Sequence, residues 1–293
     1  LENGVSLVTG DILDYDLLLK SMANHDFVIH LAAQTNILQS ITDPETTIDI
    51  IVEGTVNVLK SCVKTNVKGL VSTSSAAVYG NSPDAPISEN SQLSPVSSYG
   101  ASKLVTEYNL QAFSRSFGLN CISLRLFNVY GNGQSSETVV IRKFLKNISK
   151  DLPLEIFGDG TQTRDFVHVS DVIQAFSCAI KNIEAKRGEV YNIGSGKSTS
   201  INELASLLIS SKGKDLQIIH KPEIQGEIKF SKANISLAKT DINYSPEVSL
   251  RDGLASLVWP YFVPRMRFAI ENNNTEVMII IEPSKIDIVL PNI

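Results

Sequence analysis

Tyr99-Gly100-Ala101-Ser102-Lys103 sets a phenol and an ammonium four residues apart, on one face if the segment is helical. A phenol works as a base near neutrality only when its pKa falls well below about 10. A nearby ammonium lowers it by favouring the phenolate. Tyr and Lys at this spacing also occur on solvated helix faces. Upstream, Val71-Ser72-Thr73-Ser74-Ser75 ends an apolar run and leads into Ala76-Ala77-Val78-Tyr79-Gly80. The carboxyl ends of parallel strands are where open α/β sheets bind ligands, and a hydroxyl there can hydrogen-bond a reacting oxygen. A serine-rich turn satisfying its own backbone has the same composition. Gly194-Ser195-Gly196-Lys197-Ser198 looks like the end of a phosphate loop, but that pattern needs glycine at position 191, where Tyr191 stands.

These groups need a scaffold, and the hydrophobic pattern supplies one. Asp26–Ala32, Gly69–Ser74 and Asn120–Phe127 read as buried strands, after a short apolar run at Val5–Val8. Helical spacing predicts helices over Leu17–Met22, Thr46–Lys64, Ala101–Phe117, Val140–Ser149, Val169–Lys181, Ile201–Lys212 and Leu250–Trp259. Solid apolar strands alternating with helices imply a parallel sheet covered on both faces. Polar, glycine-containing loops at Asn132–Glu137 and Gly158–Thr163 mark a smaller, loop-rich second lobe. In the tail, Val277–Ile281 and Ile286–Leu290 flank Glu282-Pro283-Ser284, which suits a hairpin.

Composition narrows the classes. A net charge of −5 argues against general binding of nucleic acid or membrane surfaces. Cys62, Cys121 and Cys178 form no CxxC pair, so neither a disulfide framework nor a zinc knuckle is expected, and a cytoplasmic setting fits. No apolar run approaches the ~18 residues of a membrane span, and no metal site is expected.

Seven motifs in order carry a resemblance: GDILD (Gly10–Asp14), VIHLAAQ (Val28–Gln34), STSSAAVYG (Ser72–Gly80), YGASK (Tyr99–Lys103), LRLFNVYG (Leu124–Gly131), IFGDGTQTRDFVHVSDV (Ile156–Val172) and YNIGSG (Tyr191–Gly196). The chain resembles the extended short-chain dehydrogenases, in particular the NAD-dependent nucleotide-sugar epimerase/dehydratase group, from Val5 to Trp259. The resemblance implies an α/β fold: a Rossmann-like doubly wound parallel sheet over 1–130 that also takes in 166–194, a smaller α/β substrate-binding lobe over 131–260, and an unmatched tail over 261–293. It implies NAD as cofactor, a nucleotide sugar as substrate, and a homodimer through the helices of Thr46–Lys64 and Ala101–Phe117. Ser75, Tyr99 and Lys103 would be the catalytic set. Asp11 and Ile12 would flank the adenine, and Leu31, Ala32 and Ala33 would line the cofactor beside Tyr99 and Lys103. Ser75 and Asn128 would touch the substrate, and Arg164 would pair with a phosphate. Ser231 would stand where a small residue leaves room for an N-acetyl group. Asp11 also reads as a turn residue, and Arg164 as a partner for Asp165 or Asp171.

In the dehydratases of the group, Asp and Glu follow the catalytic hydroxyl residue. Here Ala76 and Ala77 follow Ser75, which favours 4-epimerisation by transient oxidation at the sugar's carbon 4. A reductase or a decarboxylase is the nearest alternative. The family's opening strand, GxxGxxG turn and helix have no counterpart before Val5–Asp11, which aligns with the third strand, so the chain, beginning at Leu1, reads as amino-terminally incomplete. Ile51 replaces the family's Asn before Val52-Glu53-Gly54-Thr55, and Ile224 replaces a phosphate-binding Arg before Gly226-Glu227. A second reading is therefore a non-catalytic remnant that binds a nucleotide sugar or dimerises.

Overall fold

The computed structural model describes residues 6–82, 85–133, 139–211, 213, 215–223, 228–257 and 277–281. Ile224, Gly226, Glu227, Trp259 and Ile286–Leu290 lie outside the described residues.

Helix α1 (Tyr15–Met22) begins where the Asp14 carboxylate accepts the Leu17 N–H at 3.0 Å. Strand β1 (Phe27–His30) follows, then α2 (Ile37–Thr42) and α3 (Pro44–Ile48), capped by Asn36 and Asp43. One π-helical turn, Asp49–Glu53, joins α3 to α4 (Gly54–Thr65). The helix expected over Thr46–Lys64 is thus interrupted, because apolar spacing does not distinguish i+4 from i+5 closure. The wide turn buries Ile51 and aims Thr55 at β1. Strand β2 (Gly69–Ser75) runs into a 3-10 turn, Ala76–Tyr79, and α5 (Ser98–Phe117) leads to β3 (Asn120–Leu126).

The second half contains β4 (Asn128–Tyr130), α6 (Val140–Ser149), β5 (Leu154–Phe157), β6 (Thr163–Arg164), β7 (Phe166–His168), α7 (Val169–Lys181), β8 (Arg187–Ile193), β9 (Thr199–Ser200), α8 (Ile201–Ser211), β10 (Ile218–Lys221), α9 (Ser236–Ile242), α10 (Leu250–Ser256) and β11 (Val277–Ile280).

The main sheet is parallel, in the order β11-β1-β2-β3-β8. Neighbouring strand residues face opposite sides, so each strand feeds two cores. Val28, Leu70 and Cys121 pack with Leu18, Met22, Val58, Leu59 and Leu110 from α1, α4 and α5. Ile29, Val71 and Ile122 pack with Ala175, Phe176 and Ala179 of α7. A third core, with Phe144, Ile148, Leu154, Leu204 and Leu208, belongs to α6, β5 and α8.

The tail departs from the expected hairpin. Val277–Ile280 pairs in parallel with β1, Phe27 opposite Val277 and His30 opposite Ile280. Val277 and Ile279 pack on the α7 side, Met278 and Ile280 on the α4 side. A strand apolar on both faces is suited to a sheet covered on both sides rather than to a surface hairpin. The expected strand around Val8 does not form: residues 6–10 have no regular structure, and Leu7 and Val8 are exposed. Both edges of β1 are taken, by β2 and β11, so β1 offers that run no ladder.

Candidate active site

Ser75 ends β2 and caps the turn that follows it. Its Oγ accepts the Ala77 N–H at 3.2 Å, and the hydroxyl stands close enough to the Tyr99 phenol to act on its pKa. Tyr99 stands in the first turn of α5, which Ser97 caps by accepting the Gly100 N–H at 3.1 Å. Gly100 lets the helix approach the turn: a Cβ there would lie 2.7 Å from the Ala77 carbonyl. Burial around the phenol pushes the Tyr99 pKa above the ordinary value, opposed by the nearby Ser75 hydroxyl. Lys103, one turn further, is buried, and its Nζ donates to Thr73 O at 2.9 Å and Thr73 Oγ1 at 3.3 Å.

His30 closes β1 on the α4 side. Its Nε2 meets Thr55 Oγ1 at 3.0 Å, while its Nδ1 is buried without a hydrogen bond. Burial first, and the Lys103 charge second, push its pKa down to about 3. A depressed cation pKa contributes stability that is lost as pH falls from about 6.5 towards 3, because only the unfolded chain takes up the proton. His30→Gln is expected to remove a slope of about 1.4 kcal/mol per pH unit across that window. Urea unfolding of both chains between pH 7 and 5 measures it, and equal slopes would contradict the assignment.

Leu31, Ala32 and Ala33 leave β1 at the same carboxyl edge. The Leu31 and Ala32 N–H groups both donate to Ile280 O, at 2.8 and 3.0 Å, so the tail strand fixes this segment. Gln34 follows, 7% exposed, with both amide atoms buried and unpartnered. Asp11 behaves as a turn residue: its Oδ1 accepts the Leu13 N–H at 2.9 Å. Ile12 O accepts from Asn57 at 3.3 Å, tying this turn to α4.

Asn128, exposed on β4, donates its N–H to Asp165 O at 3.0 Å. Arg164 Nη1 donates to Thr163 O at 2.9 Å and Ile228 O at 2.6 Å. Asp165 is engaged elsewhere: its carboxylate accepts Ser195 N and Oγ, Gly196 N and Ala233 N at 2.7–3.0 Å. The N–H groups of the loop that looked phosphate-binding are thus directed at this carboxylate. Asp165 also ties the Arg164 strand to the segment holding the buried Ser231. Asp171 accepts from Glu247 N and Val248 N. A cavity of about 280 Å³ lies between Asn81–Ser82, just beyond the Ser75 turn, and Ile228–Phe230.

The structure therefore brings Ser75, Tyr99 and Lys103 to one sheet edge beside Leu31–Ala33, and brings Arg164 and Ser231 together through Asp165. Thr73, Gln34, Glu107 and Arg125 are polar groups of this region that sequence reasoning passed over. The available signals were the four-residue step from Lys103 to Glu107 and the Arg125 inside LRLFNVYG.

The sequence pattern of the NAD dependent epimerase/dehydratase family matches residues 1–194. The chain belongs to this family. A UDP-glucose 4-epimerase of Mycolicibacterium smegmatis is 33% identical over 256 residues, covering 86% of this chain and 81% of its own. The crystal structure of UDP-glucuronic acid 4-epimerase from Bacillus cereus, in complex with UDP-glucuronic acid and NAD, superposes with a TM-score of 0.81 at 33% identity, covering 87% of this chain and 81% of its own. A dTDP-glucose 4,6-dehydratase of Streptomyces niveus is 30% identical over 86% of this chain and 74% of its own. Members of the epimerase/dehydratase family are NAD-dependent enzymes, and the five-stranded parallel sheet is their Rossmann-like core. Among the described residues, no helix is long and apolar enough to cross a membrane.

Proposed function

We propose that the chain is a UDP-sugar 4-epimerase. The observation that carries this reading is the placement of Ser75, at the carboxyl end of β2, close to the Tyr99 phenol, one helical turn from Lys103.

The residues at this edge suit the nicotinamide half of NAD. The unpartnered, buried amide of Gln34 beside Leu31–Ala33 is a polar group in want of a ligand, and Lys103 brings a cation to the same sheet edge. Among the described residues no glycine-rich turn opens a helix at this edge, so no pyrophosphate cradle is assigned. NAD, when bound, accepts hydride from sugar carbon 4 and returns it to the opposite face. The protein's part is positioning and proton transfer. Ser75 holds the sugar 4-hydroxyl, and the ionised Tyr99 accepts its proton. Lys103, turned from Thr73 towards the phenol, favours the phenolate against the upward pull of burial. Asn128 contacts the sugar diphosphate, and Arg164 offers its guanidinium to a phosphate. The buried, small Ser231 leaves room for an N-acetyl group.

Ala76 and Ala77 sit in the turn that Ser75 caps and carry no proton-transferring group, which favours epimerisation over the dehydration named for some relatives. The reading includes a cytoplasmic homodimer. Free cysteines suit a reducing compartment, and α5, which exposes Val105 and Tyr108 and contacts α2, which exposes Leu38 and Ile41, offers apolar surface for a second copy.

Incubation of the full chain with NAD and UDP-glucose is expected to yield UDP-galactose, read by anion-exchange chromatography. UDP-N-acetylglucosamine and UDP-glucuronate serve as alternative substrates. A dehydrated 4-keto-6-deoxy product, or no conversion of any of the three, would overturn the proposal. In calorimetry, UDP-sugar binding without NAD binding is the signature of a non-catalytic family member.

A further inference from the structure

Glu107 lies four residues beyond Lys103 and eight beyond Tyr99, so α5 presents all three along one face. Opposite Glu107 is a polar row across the sheet. Ser74 on β2, Arg125 on β3 and Asn192 on β8 occupy paired register positions. All four residues are no more than 3% exposed.

Ser74 Oγ donates to Glu107 Oε1 at 2.5 Å. Arg125 grips the same carboxylate with both arms of its fork, Nε to Oε1 at 2.9 Å and Nη2 to Oε2 at 2.7 Å. Its Nη1 donates to Tyr79 Oη at 2.7 Å and to Glu89 O at 3.1 Å. Tyr79 Oη donates onward to Asn192 Oδ1 at 2.7 Å, and Asn192 N donates to Glu89 Oε1 at 2.8 Å. The guanidinium, its carboxylate and both hydroxyls are mutually satisfied.

Desolvating two opposite charges costs so much that well-packed apolar residues stabilise a core equally well. Stability alone is therefore a poor reason for this pair. What a bidentate fork supplies is a fixed relative geometry, and this one connects the segments of the active site. Ser74 precedes Ser75, Tyr79 closes the turn that Ser75 caps, and Glu107 is one turn from Lys103. We propose that Glu107 and Arg125 are positioning residues: they lock α5 against the Ser74–Tyr79 segment, so that the Ser75 hydroxyl meets the Tyr99 phenol. They touch neither substrate nor cofactor and act through Ser74 and Tyr79. The inference rests on the reading of Ser75 and Tyr99 as catalytic.

The test is the ¹³Cζ resonance of Tyr99 in tyrosine-labelled full chain at neutral pH, assigned with Tyr99→Phe. Ser75→Ala gives the resonance without the Ser75 hydroxyl beside the phenol. The Glu107→Leu/Arg125→Met chain removes both charges at similar volume, and its melting curve reports folding. Its Tyr99 resonance is expected to move at least halfway to the Ser75→Ala value; a smaller shift overturns the proposal. If that chain does not fold, Ser74→Ala/Tyr79→Phe retains the ion pair and cuts its connection to the turn. The same threshold applies to it. In turnover, the variant that folds is expected to lose about 100-fold in kcat, the scale of a ~1 Å misplacement, with KM for the UDP-sugar nearly unchanged. A raised KM at native kcat would overturn positioning. Absence of turnover in the native chain would count against the proposed function, while the resonance still decides the role of the pair.

Discussion

Tyr99→Phe is expected to lower UDP-sugar epimerisation by about 10³-fold, within the range that general acid–base groups contribute, while leaving the fold intact. Phenylalanine keeps the ring and removes only the phenol oxygen. Ser75 still accepts the Ala77 N–H, and Ser97 still caps α5. Even a hydrogen bond from the phenol at this partly exposed site would be worth only about 1 kcal/mol, so the melting temperature should move by no more than a few degrees. Because burial holds the Tyr99 pKa above its ordinary value, the phenolate fraction grows with alkalinity. The native rate should therefore rise with pH through the neutral range, and the residual rate of the variant should lose that rise. Steady-state assays from pH 6 to 9 measure both, and native turnover in the variant would eliminate Tyr99 as the base.

Glu107→Ala is expected to lower the unfolding free energy by about 3–5 kcal/mol, the scale for removing one member of a buried ion pair. The variant leaves the Arg125 guanidinium, 3% exposed, facing a void, and leaves Ser74 Oγ without its acceptor. Removing both charges at once should cost far less, since neither is then left buried and unpaired. Urea unfolding of the single and double variants separates the two cases. A loss below about 1 kcal/mol in the single variant would show that water reaches the pair, as at an exposed salt bridge.

Local periodicity carries much of this molecule. Residues two apart on a strand, or three and four apart on a helix, share a face whatever the rest of the chain does. The buried strands β1, β2 and β3, the helices α6 and α7, and the common face of Tyr99 and Lys103 follow from spacing alone. Motif order then indicates the family before any contact is known. Spacing says nothing about what a face meets. Lys103 stands near Tyr99 in the chain, yet its ammonium reaches Thr73, because the α5 face lies on β2.

The same holds for pairing between distant strands. Val277–Ile280 is an apolar run that could enter a hairpin or a sheet, and parallel pairing with β1 made it the outer strand of the main sheet. Ser74, Arg125 and Asn192 look like unrelated polar letters in three apolar runs. They form one row only because β2, β3 and β8 pair in a particular register, and a one-residue slip would turn each to the opposite core. The chain alone determined most of its buried strands and helices and its family. Only the tertiary structure decided the partner of the tail strand, the resting contact of Lys103 and the buried row behind the candidate active site. Side-chain period is a property of neighbours along the chain, whereas register balances every contact across the sheet at once.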